Sequence, residues 1–505
     1  MNMPAHRLNS SITVATLLQG LAEAPEIAIS GIASDTRDVG EGFLFLACRG
    51  ERSHGLEYAA QAIDAGAAAV AYDASTAGSI PEIDAPLIPV DALRSRLGEI
   101  ANRFYDHPSR SVKVLGITGT NGKTTVAWLL AQCLQRLGKT CGYAGTLGYG
   151  VDELSGGEGM TTPDVVEFHR RLAVFRDAGA AYAAVEVSSH ALTQNRADGV
   201  EIDTAVFTNL TRDHLDYHGD MEAYGEAKAS LFLEAEPSRR IINVDSEFGS
   251  ILATRCGPDV VAVSMDQARV DKSLPHLVVR SAAATGNGFD VSVAGSWGES
   301  SFRLPLHGEF NVANAALVLA FLLSEDVALE AASAALSAAQ APPGRLQRVD
   351  VGTGPDVFVD YAHTPAAVES ALRTLRPHCD GALWCVFGCG GDRDAGKRPL
   401  MGRAVEEHAD RVVVTTDNPR NEDPVKIIEA ILGGLEAADA ATVIEDRGAA
   451  IAWAIGNAAT DDVVLLAGKG HENYQYIGGE RRDFSDYGAA AANLQARSGR
   501  GEGGE

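Results

Sequence analysis

Short apolar runs punctuate this chain, and longer apolar-periodic stretches lie between them. The runs VKVL (112–115), AAYAAVEVSS (180–189), DTAVFTNL (203–210), DVFVDYA (356–362), GALWCVFGCGG (381–391), ADRVVVTTDNPR (409–420) and DDVVLLAGKG (461–470) are rich in apolar residues, and the last four run out into Gly or polar residues. Contiguous rather than alternating apolarity predicts strands covered on both faces. FLFLACRG (43–50) reads as a strand, and LEYAAQAIDAGAAAVAY (56–72) as a helix followed by a strand. VAWLLAQCLQRLG (126–138) predicts a helix that Gly138 ends, and an Ala-rich stretch from about Asn311 to Gln340 predicts a long helical segment. Strands alternating with helices predict an α/β fold of mostly parallel sheets wrapped by helices. In such sheets ligands bind beyond the carboxyl ends of the strands. HPSR (107–110) and APPGR (341–345) punctuate the pattern and divide the chain into domains at 1–108, 109–341 and 342–505. The tail RSGRGEGGE, about 496–505, is expected to be disordered.

One turn carries explicit chemistry. GITGTNGKTT (116–125) lies between the VKVL strand and the helix that follows. Strand, Gly-rich turn, Gly-Lys-Thr and helix is the layout of a loop that holds a nucleotide's phosphates. Backbone N–H groups and the positive end of the helix face the anion. Lys123 would reach the β- and γ-phosphates, and the Thr124 hydroxyl would ligate Mg2+. The strict pattern has Gly five residues before Gly122. Ile117 stands there instead, and Gly119 supplies an internal turn. A GTPase switch is weakened as a reading, because the chain contains no Asn-Lys pair to begin a guanine-binding Asn-Lys-x-Asp segment.

Composition narrows the partners. The formal net charge is −26, which argues against a nucleic acid or a membrane surface as partner. Seven scattered cysteines, an odd number without paired metal spacing, read as reduced buried thiols. Cys385 and Cys389 could suggest a metal, but a strand followed by its loop explains them as thiols. No charged-then-apolar leader and no run of membrane-spanning length is present, so a cytoplasmic location is expected.

Three further groups lie where a nucleotide site needs them. Glu186 ends one apolar strand, and a carboxylate buried without a partner would be costly. Asp213 and His214 follow the tip of the next strand, where Mg2+ would need oxygen or imidazole ligands. A His in a polar loop is usually just solvated. Asn311 and Asn314 fall near the start of a helix, where one of them could cap it or both could read an adenine edge.

TGTNGKTT, EVSSHAL, FTNLTRDHLDYHGDMEAYGEAK, GEFNVANAA, PGRLQ, DYAHTP, FGCGGDRDAGKRP, DNPRNEDP and AGKGHE occur in this order. Together they resemble the Mur ligase family, over a span from about Ser34 to Asp486. The resemblance implies three α/β domains: an N-terminal one for the UDP end of a substrate, a central P-loop domain for ATP, and a Rossmann-like C-terminal one for an amino acid. It implies an ATP-dependent ligase of peptidoglycan precursor synthesis. ATP would phosphorylate the D-glutamyl side-chain carboxylate of UDP-N-acetylmuramoyl-L-alanyl-D-glutamate, and an amine would attack the acyl phosphate. By resemblance, Gly119, Thr120, Asn121, Gly122, Lys123, Thr124 and Thr125 cradle ATP, with Asn311, Asn314, Arg345 and Asp360 as further nucleotide contacts. Thr124, Glu186, His214 and Lys228 match magnesium ligands, Lys228 as a carbamate, since a plain ammonium would be repelled by the ion. Lys123, Lys228, His214 and Glu186 are the implied catalytic set. Thr161, Thr162, Ser188, Gln194 and Arg196 match positions that hold the muramoyl peptide. Ser34, Thr36, Glu51, Arg52 and Ser53 align with the uridine-diphosphate end, where Thr36 replaces the family's usual Ser and residues 51–53 depart from the family forms.

Arg393, Asp417, Asn418, Pro419, Arg420, Gly468 and Glu472 match an amino-acid site, and DNPR implies meso-2,6-diaminopimelate. Arg420 offers a rigid fork to the distal carboxylate that L-lysine lacks. A lysine-adding or folylpolyglutamate-type ligase is the alternative within the superfamily, and a P-loop switch the alternative outside it. A monomer is expected.

Overall fold

The computed structural model describes residues 12–50, 53–156 and 160–501. It divides into two compact units, residues 1–263 with 269–276, and residues 264–268 with 277–505.

The first unit contains two sheets. Strands β1 (Gly31–Ala33), β2 (Phe43–Ala47), β3 (Ala67–Asp73) and β4 (Leu87–Val90) pair in parallel in that order. The second sheet is built on β5 (Lys113–Thr118), β6 (Cys141–Gly145), β7 (Gly148–Gly150), β8 (Tyr182–Glu186), β9 (Ile202–Phe207), β10 (Arg239–Asn243) and β11 (Val260–Ser264). Their order is β11-β10-β9-β5-β8-β6-β7, parallel except for β7. β5 sits centrally, with Val114, Leu115, Gly116, Ile117 and Thr118 all buried. Its neighbours β8 and β9 both come later in sequence. The chain therefore changes direction across β5, and the crevice at such a switch point is where α/β sheets bind ligands.

The second unit opens with an antiparallel meander, β12 (His276–Thr285), β13 (Gly288–Gly295) and β14 (Gly298–Leu304). Sequence reading expects parallel strands and misses it; the tight turns before Gly288 and Gly298 leave no room for a crossover helix, so these strands pair antiparallel. Helices Glu309–Ser324 and Leu329–Ser337 replace the single long segment expected. The break falls at Asp326, whose positive φ of 59° is left-handed.

Strands β15 (Gln347–Arg348), β16 (Asp356–Asp360), β17 (Leu383–Phe387), β18 (Arg411–Val414), β19 (Thr442–Val443) and β20 (Val463–Ala467) form a six-stranded sheet, order β15-β16-β20-β17-β18-β19. All its pairs are parallel except β15 with β16. Successive residues feed opposite cores. Phe358, Cys385 and Leu465 pack on one face with Leu372, Met401 and Ile427. Val359, Trp384, Val386 and Leu466 pack on the other with Ile451 and Leu494. Two covered faces explain the contiguous apolar runs. They also explain Cys385 and Cys389, which belong to the first of these cores; burial pushes the Cys389 thiol up to about 12. A hairpin of β21 (Tyr474–Ile477) and β22 (Glu480–Asp483) stands apart from this sheet.

The tail corrects one expectation. A helix spans Asp486–Gly501, so residues 496–501 are ordered. Arg497 Nη1 donates to the carbonyls of Ile455 and Ala458, and the Ser498 hydroxyl accepts from Thr353 N at 2.7 Å. These anchors offset the entropy that the Gly- and Ser-rich composition suggested would win.

Candidate active site

The phosphate loop leaves β5 and enters the helix Lys123–Arg136. Gly119 takes φ +149°, and a Cβ there would overlap Thr208 Oγ1. Only glycine lets the loop pass so close to the segment after β9. That segment anchors the loop: Thr120 N donates to Asn209 O at 2.9 Å, Asn121 N to Asn209 Oδ1 at 3.0 Å, and Thr208 Oγ1 to Asn121 O at 2.5 Å. Gly122 begins the helix and gives it no side-chain cap. The first-turn N–H groups therefore keep their capacity for an anion. Lys123 Nζ donates to the carbonyls of Gly119 and Thr120, both at 2.9 Å. Thr124 and Thr125 are buried in the first turn.

Glu186 stands beside Ile117 in register, at the end of β8, and is 1% exposed. Its carboxylate is fully served. Thr124 Oγ1 (2.9 Å) and Thr146 Oγ1 (3.1 Å) donate to Oε2; Tyr143 OH (2.6 Å) and Thr146 N (3.0 Å) donate to Oε1. Four donors answer the cost of burying a carboxylate on an apolar strand.

Lys228, also 1% exposed, comes from the helix Met221–Leu233. Its Nζ donates to Gly119 O at 2.9 Å and lies 4.4 Å over the Tyr224 ring. Burial, reinforced by the Lys123 ammonium and opposed by Asp213, lowers its pKa to about 6. The side chain is thus mostly a neutral amine at pH 7. His214 is half exposed, takes φ +52°, pairs with Asp213 at 3.5 Å and packs against the rings of His190 and Tyr224.

The fold brings Thr124 onto Glu186 and Lys228 onto the phosphate loop, and joins His214 to Lys228 through the Tyr224 ring. Among the described residues no three His, Cys, Asp or Glu side chains gather as a metal cage. The hydroxyl of Thr124 and the carboxylate of Glu186 are nevertheless adjacent hard oxygen donors, which suits Mg2+ bound partly by phosphates and water. Lys228 suits it only as an anion.

Next to Glu186 lies a second group. Thr162 Oγ1 donates to Glu186 O at 2.9 Å and accepts from Ser188 N at 3.0 Å. Arg196 Nη1 donates to Thr162 O at 2.9 Å, and its Nε to Gln194 Oε1 at 3.0 Å. Thr161 Oγ1 is 3.3 Å from Thr146 Oγ1. Gln194 Nε2 donates to Tyr217 OH at 3.0 Å, and Tyr217 stacks on His190. Sequence reasoning missed Tyr143, Thr146, His190, Tyr217 and Tyr224. His190, Tyr217 and Tyr224 lie within EVSSHAL and FTNLTRDHLDYHGDMEAYGEAK, although nothing there singles them out; Tyr143 and Thr146 lie at a strand end outside any motif. On the smaller sheet, Ser34 follows β1, Thr36 opens a turn capped by Asp35, and the Ser53 hydroxyl is 3.1 Å from Tyr58 OH. Glu51 and Arg52 lie outside the described residues.

In the second unit, Asn311 and Asn314 are buried inside the first turns of their helix. Neither caps it: Gly308 holds that position, Asn311 Nδ2 donates back to His307 O at 2.8 Å, and Asn314 Nδ2 donates to Asn311 Oδ1 at 3.0 Å. Asp360, at the end of β16, accepts from Leu346 N (2.7 Å) and Ala362 N (2.9 Å), and burial pushes its carboxyl up. The Arg345 guanidinium lies 5.0 Å over the Tyr361 ring, and its buried Nε has no hydrogen-bond partner among the described residues.

The residues matched to an amino-acid site come together at the carboxyl ends of β17, β18 and β20. Asn418 Nδ2 donates to Glu472 Oε2 at 2.8 Å, while Asn418 Oδ1 accepts from Tyr476 N at 3.0 Å. Lys469, fully buried, donates to Glu472 Oε2 at 3.1 Å and to Asn418 Oδ1 at 3.3 Å. Gly468, at φ +118°, leaves room for the Asp417 carboxyl, which burial pushes up. Arg420 takes φ +54° and bridges Ile477; its N donates to Tyr476 O (2.9 Å) and its O accepts from Gly478 N (2.8 Å). Its Nη1 donates to Gly391 O at 2.7 Å. A Cβ at Gly390 would meet both that guanidinium, at 3.0 Å, and the exposed Arg393 side chain, at 3.8 Å, and Gly391 N donates to Asn418 O at 2.9 Å beside Pro419. Arg420, Arg393 and Lys469 thus gather with Glu472 and Asp417 in a single cluster of loops, which offers both signs of charge to a ligand. Lys469 was not singled out from sequence, although it sits in AGKGHE.

Three family models match in succession: the Mur ligase family catalytic domain over residues 28–105, the Mur ligase middle domain over 117–322, and the Mur ligase glutamate ligase domain over 344–470. A curated UDP-N-acetylmuramoyl-L-alanyl-D-glutamate--2,6-diaminopimelate ligase of Pseudomonas putida is 47% identical, covering 93% of this chain and 95% of the relative. Its namesake in Xanthomonas campestris is 44% identical, over 98% and 99%. A solved structure of a ligase with that name superposes with TM-score 0.70 at 32% identity, covering 97% of this chain and 99% of its own.

Proposed function

This chain belongs to the Mur ligase family, and from that premise we propose that it joins meso-2,6-diaminopimelate to the D-glutamyl side-chain carboxylate of UDP-N-acetylmuramoyl-L-alanyl-D-glutamate at the expense of ATP. The observation that carries the choice of amino acid is Arg420. Its backbone is tied on both sides to residues of β21 and the following turn, and its guanidinium is steadied by Gly391 O beside the Asn418–Glu472 pair. A fixed fork pairs with the distal carboxylate of diaminopimelate, whereas with lysine the same group stays unpaired.

A carboxylate is a poor electrophile. Transfer of the γ-phosphoryl group to it creates an acyl phosphate; the amine then attacks the carbonyl carbon and phosphate leaves. The residues work by positioning and charge neutralisation. The first-turn N–H groups and Lys123 hold the triphosphate. Thr161, Thr162, Ser188, Gln194 and Arg196 hold the muramoyl peptide, and Ser34, Thr36, Glu51, Arg52 and Ser53 the uridine end. Asn311, Asn314, Arg345 and Asp360 serve the nucleoside. Thr124, Glu186, His214 and Lys228, once carbamylated, would hold Mg2+, which would neutralise phosphate charge when bound. The lowered pKa of Lys228 supports this assignment: the amine lone pair would attack the carbon of CO2, forming an N–C bond while one C=O π pair moves onto oxygen, and the nitrogen would lose a proton to solvent, leaving a carbamate anion. We assign the domains to 1–108, 109–341 and 342–505, and the activity to a cytoplasmic monomer feeding peptidoglycan synthesis.

Phosphate release with the UDP-dipeptide and ATP should require meso-diaminopimelate and barely respond to L-lysine. Equal rates with both would sink the assignment of the amino acid, and amino-acid-independent hydrolysis would favour a nucleotide switch. Lys228→Ala should be inactive and regain turnover with added short carboxylates.

A further inference from the structure

Beneath the amino-acid loops lies an ion pair that the proposed chemistry does not use. Arg447 opens the helix Arg447–Asn457, and Asp486 opens the last helix. Both side chains are 0% exposed. The pair is a fork: Nε to Oδ1 and Nη2 to Oδ2, each 2.7 Å. The guanidinium also reaches the backbone. Nη1 donates to Thr416 O at 3.2 Å, and Nη2 to Ala467 O at 3.0 Å.

Those two carbonyls decide what the pair does. Thr416 immediately precedes the run Asp417, Asn418, Pro419 and Arg420; Ala467 immediately precedes Gly468 and Lys469, with Glu472 five residues on. The strands they extend, β18 and β20, are not neighbours, because β17 lies between them. No ladder hydrogen bond therefore sets the spacing of the two loops directly. Arg447 bonds to both loop roots across the intervening strand. Stability alone is a weak reason for such a pair, since well-packed apolar groups of similar volume often replace a buried ion pair at no cost. A planar fork with donors in fixed directions is suited to holding two carbonyls and a carboxylate at a set separation.

We propose that Arg447, oriented by Asp486, is a positioning residue for the amino-acid substrate: it holds the loop bearing Asn418 and Arg420 at the separation from the loop bearing Lys469 and Glu472 that diaminopimelate requires. This rests on the function proposed above. Each loop supplies one side of the zwitterion's recognition, so a shift of one loop against the other spoils simultaneous pairing while leaving the phosphate loop, in the other unit, untouched.

The test uses the full-length chain with the apolar double substitution Arg447→Met/Asp486→Leu and, independently, Arg447→Lys, which keeps the buried charge but not the fork. Melting temperature and the KM values for diaminopimelate and ATP are measured for each. A misplacement near 1 Å costs up to about 10²-fold. The expected result is kcat/KM for diaminopimelate falling by about that factor in a variant that melts like the wild type, with KM for ATP unchanged. If either variant melts like the wild type and keeps its diaminopimelate kinetics, the pair is structural only and the proposal is overturned. Should the double substitution fail to fold, Arg447→Lys alone decides by the same readout: KM for diaminopimelate raised against an unchanged KM for ATP supports the proposal, and the two KM values unchanged or raised together overturn it. A wild-type chain that ignores diaminopimelate would instead overturn the proposed function, which separates the two failures.

Discussion

Replacing Lys228 with methionine should make the protein more stable and inactive at once. The lysine is 1% exposed and its pKa falls from 10.5 to about 6. In the unfolded chain the amine is protonated below its ordinary pKa, so at pH 7 folding must strip a proton from it. That cost is on the order of 5 kcal/mol at pH 7, partly offset by the bond to Gly119 O, worth about 1 kcal/mol. Methionine, of similar length, owes neither term. Between pH 6 and 10.5 the unfolded state binds more protons at this site than the folded state, so wild-type stability rises with pH across that window. Below pH 6 the amine is charged in both states and the full cost remains. The advantage of Lys228→Met should therefore be greatest near pH 6 and shrink towards pH 10. Urea unfolding of both proteins in CO2-free buffer at pH 6, 7, 8 and 9 measures it, beside ADP release at pH 8. A methionine variant no more stable than wild type at pH 7, or an advantage independent of pH, would refute the reasoning.

Arg420→Lys should lower kcat/KM for diaminopimelate by about 10²-fold or more, because an ammonium cannot reproduce the fork, with little change in KM for ATP; steady-state kinetics check it. Gly119→Ala should cost at least about 1 kcal/mol in urea unfolding and raise KM for ATP, since the new Cβ meets Thr208 Oγ1 at a φ of +149°. His169 is fully buried, and burial lowers its pKa to about 4 despite the carbonyl of Asp198 2.9 Å from Nε2. The unfolded chain takes up this proton first, so stability should fall as pH drops from about 6.5 towards 4, by about 3 kcal/mol in all, and His169→Gln should remove that part of the slope.

What sequence could and could not reveal follows from where each interaction is encoded. The phosphate loop was legible because strand, turn and helix are contiguous, so Gly119, Gly122 and Lys123 declare themselves within ten residues. The six-stranded sheet was legible because both faces of β16, β17, β18 and β20 are covered, which leaves unbroken apolar runs. The meander β12–β14 was missed: buried and exposed residues mix irregularly along β13 and β14, which leaves neither an unbroken apolar run nor a clean alternation. Arg447 and Asp486 were invisible because the pair is 39 residues apart and its other partners are backbone carbonyls, which carry no side-chain signature. Tyr143 and Thr146 were missed for a related reason: each is an unremarkable residue until β6 is laid beside β8 and Glu186 needs donors. The tail misled because composition reports entropy and not the carbonyls that Arg497 finds.

The bridge between Arg420 and Ile477 bears on redesign. Because Arg420 is held through its own N–H and carbonyl, exchanging its side chain alone should leave the path of the loop intact. Retargeting this ligase to another diamino acid calls for transplanting residues 388–393, 416–422 and 474–483 as one cassette, in which the hairpin behaves as a replaceable jaw and the parallel sheet as an unchanging handle.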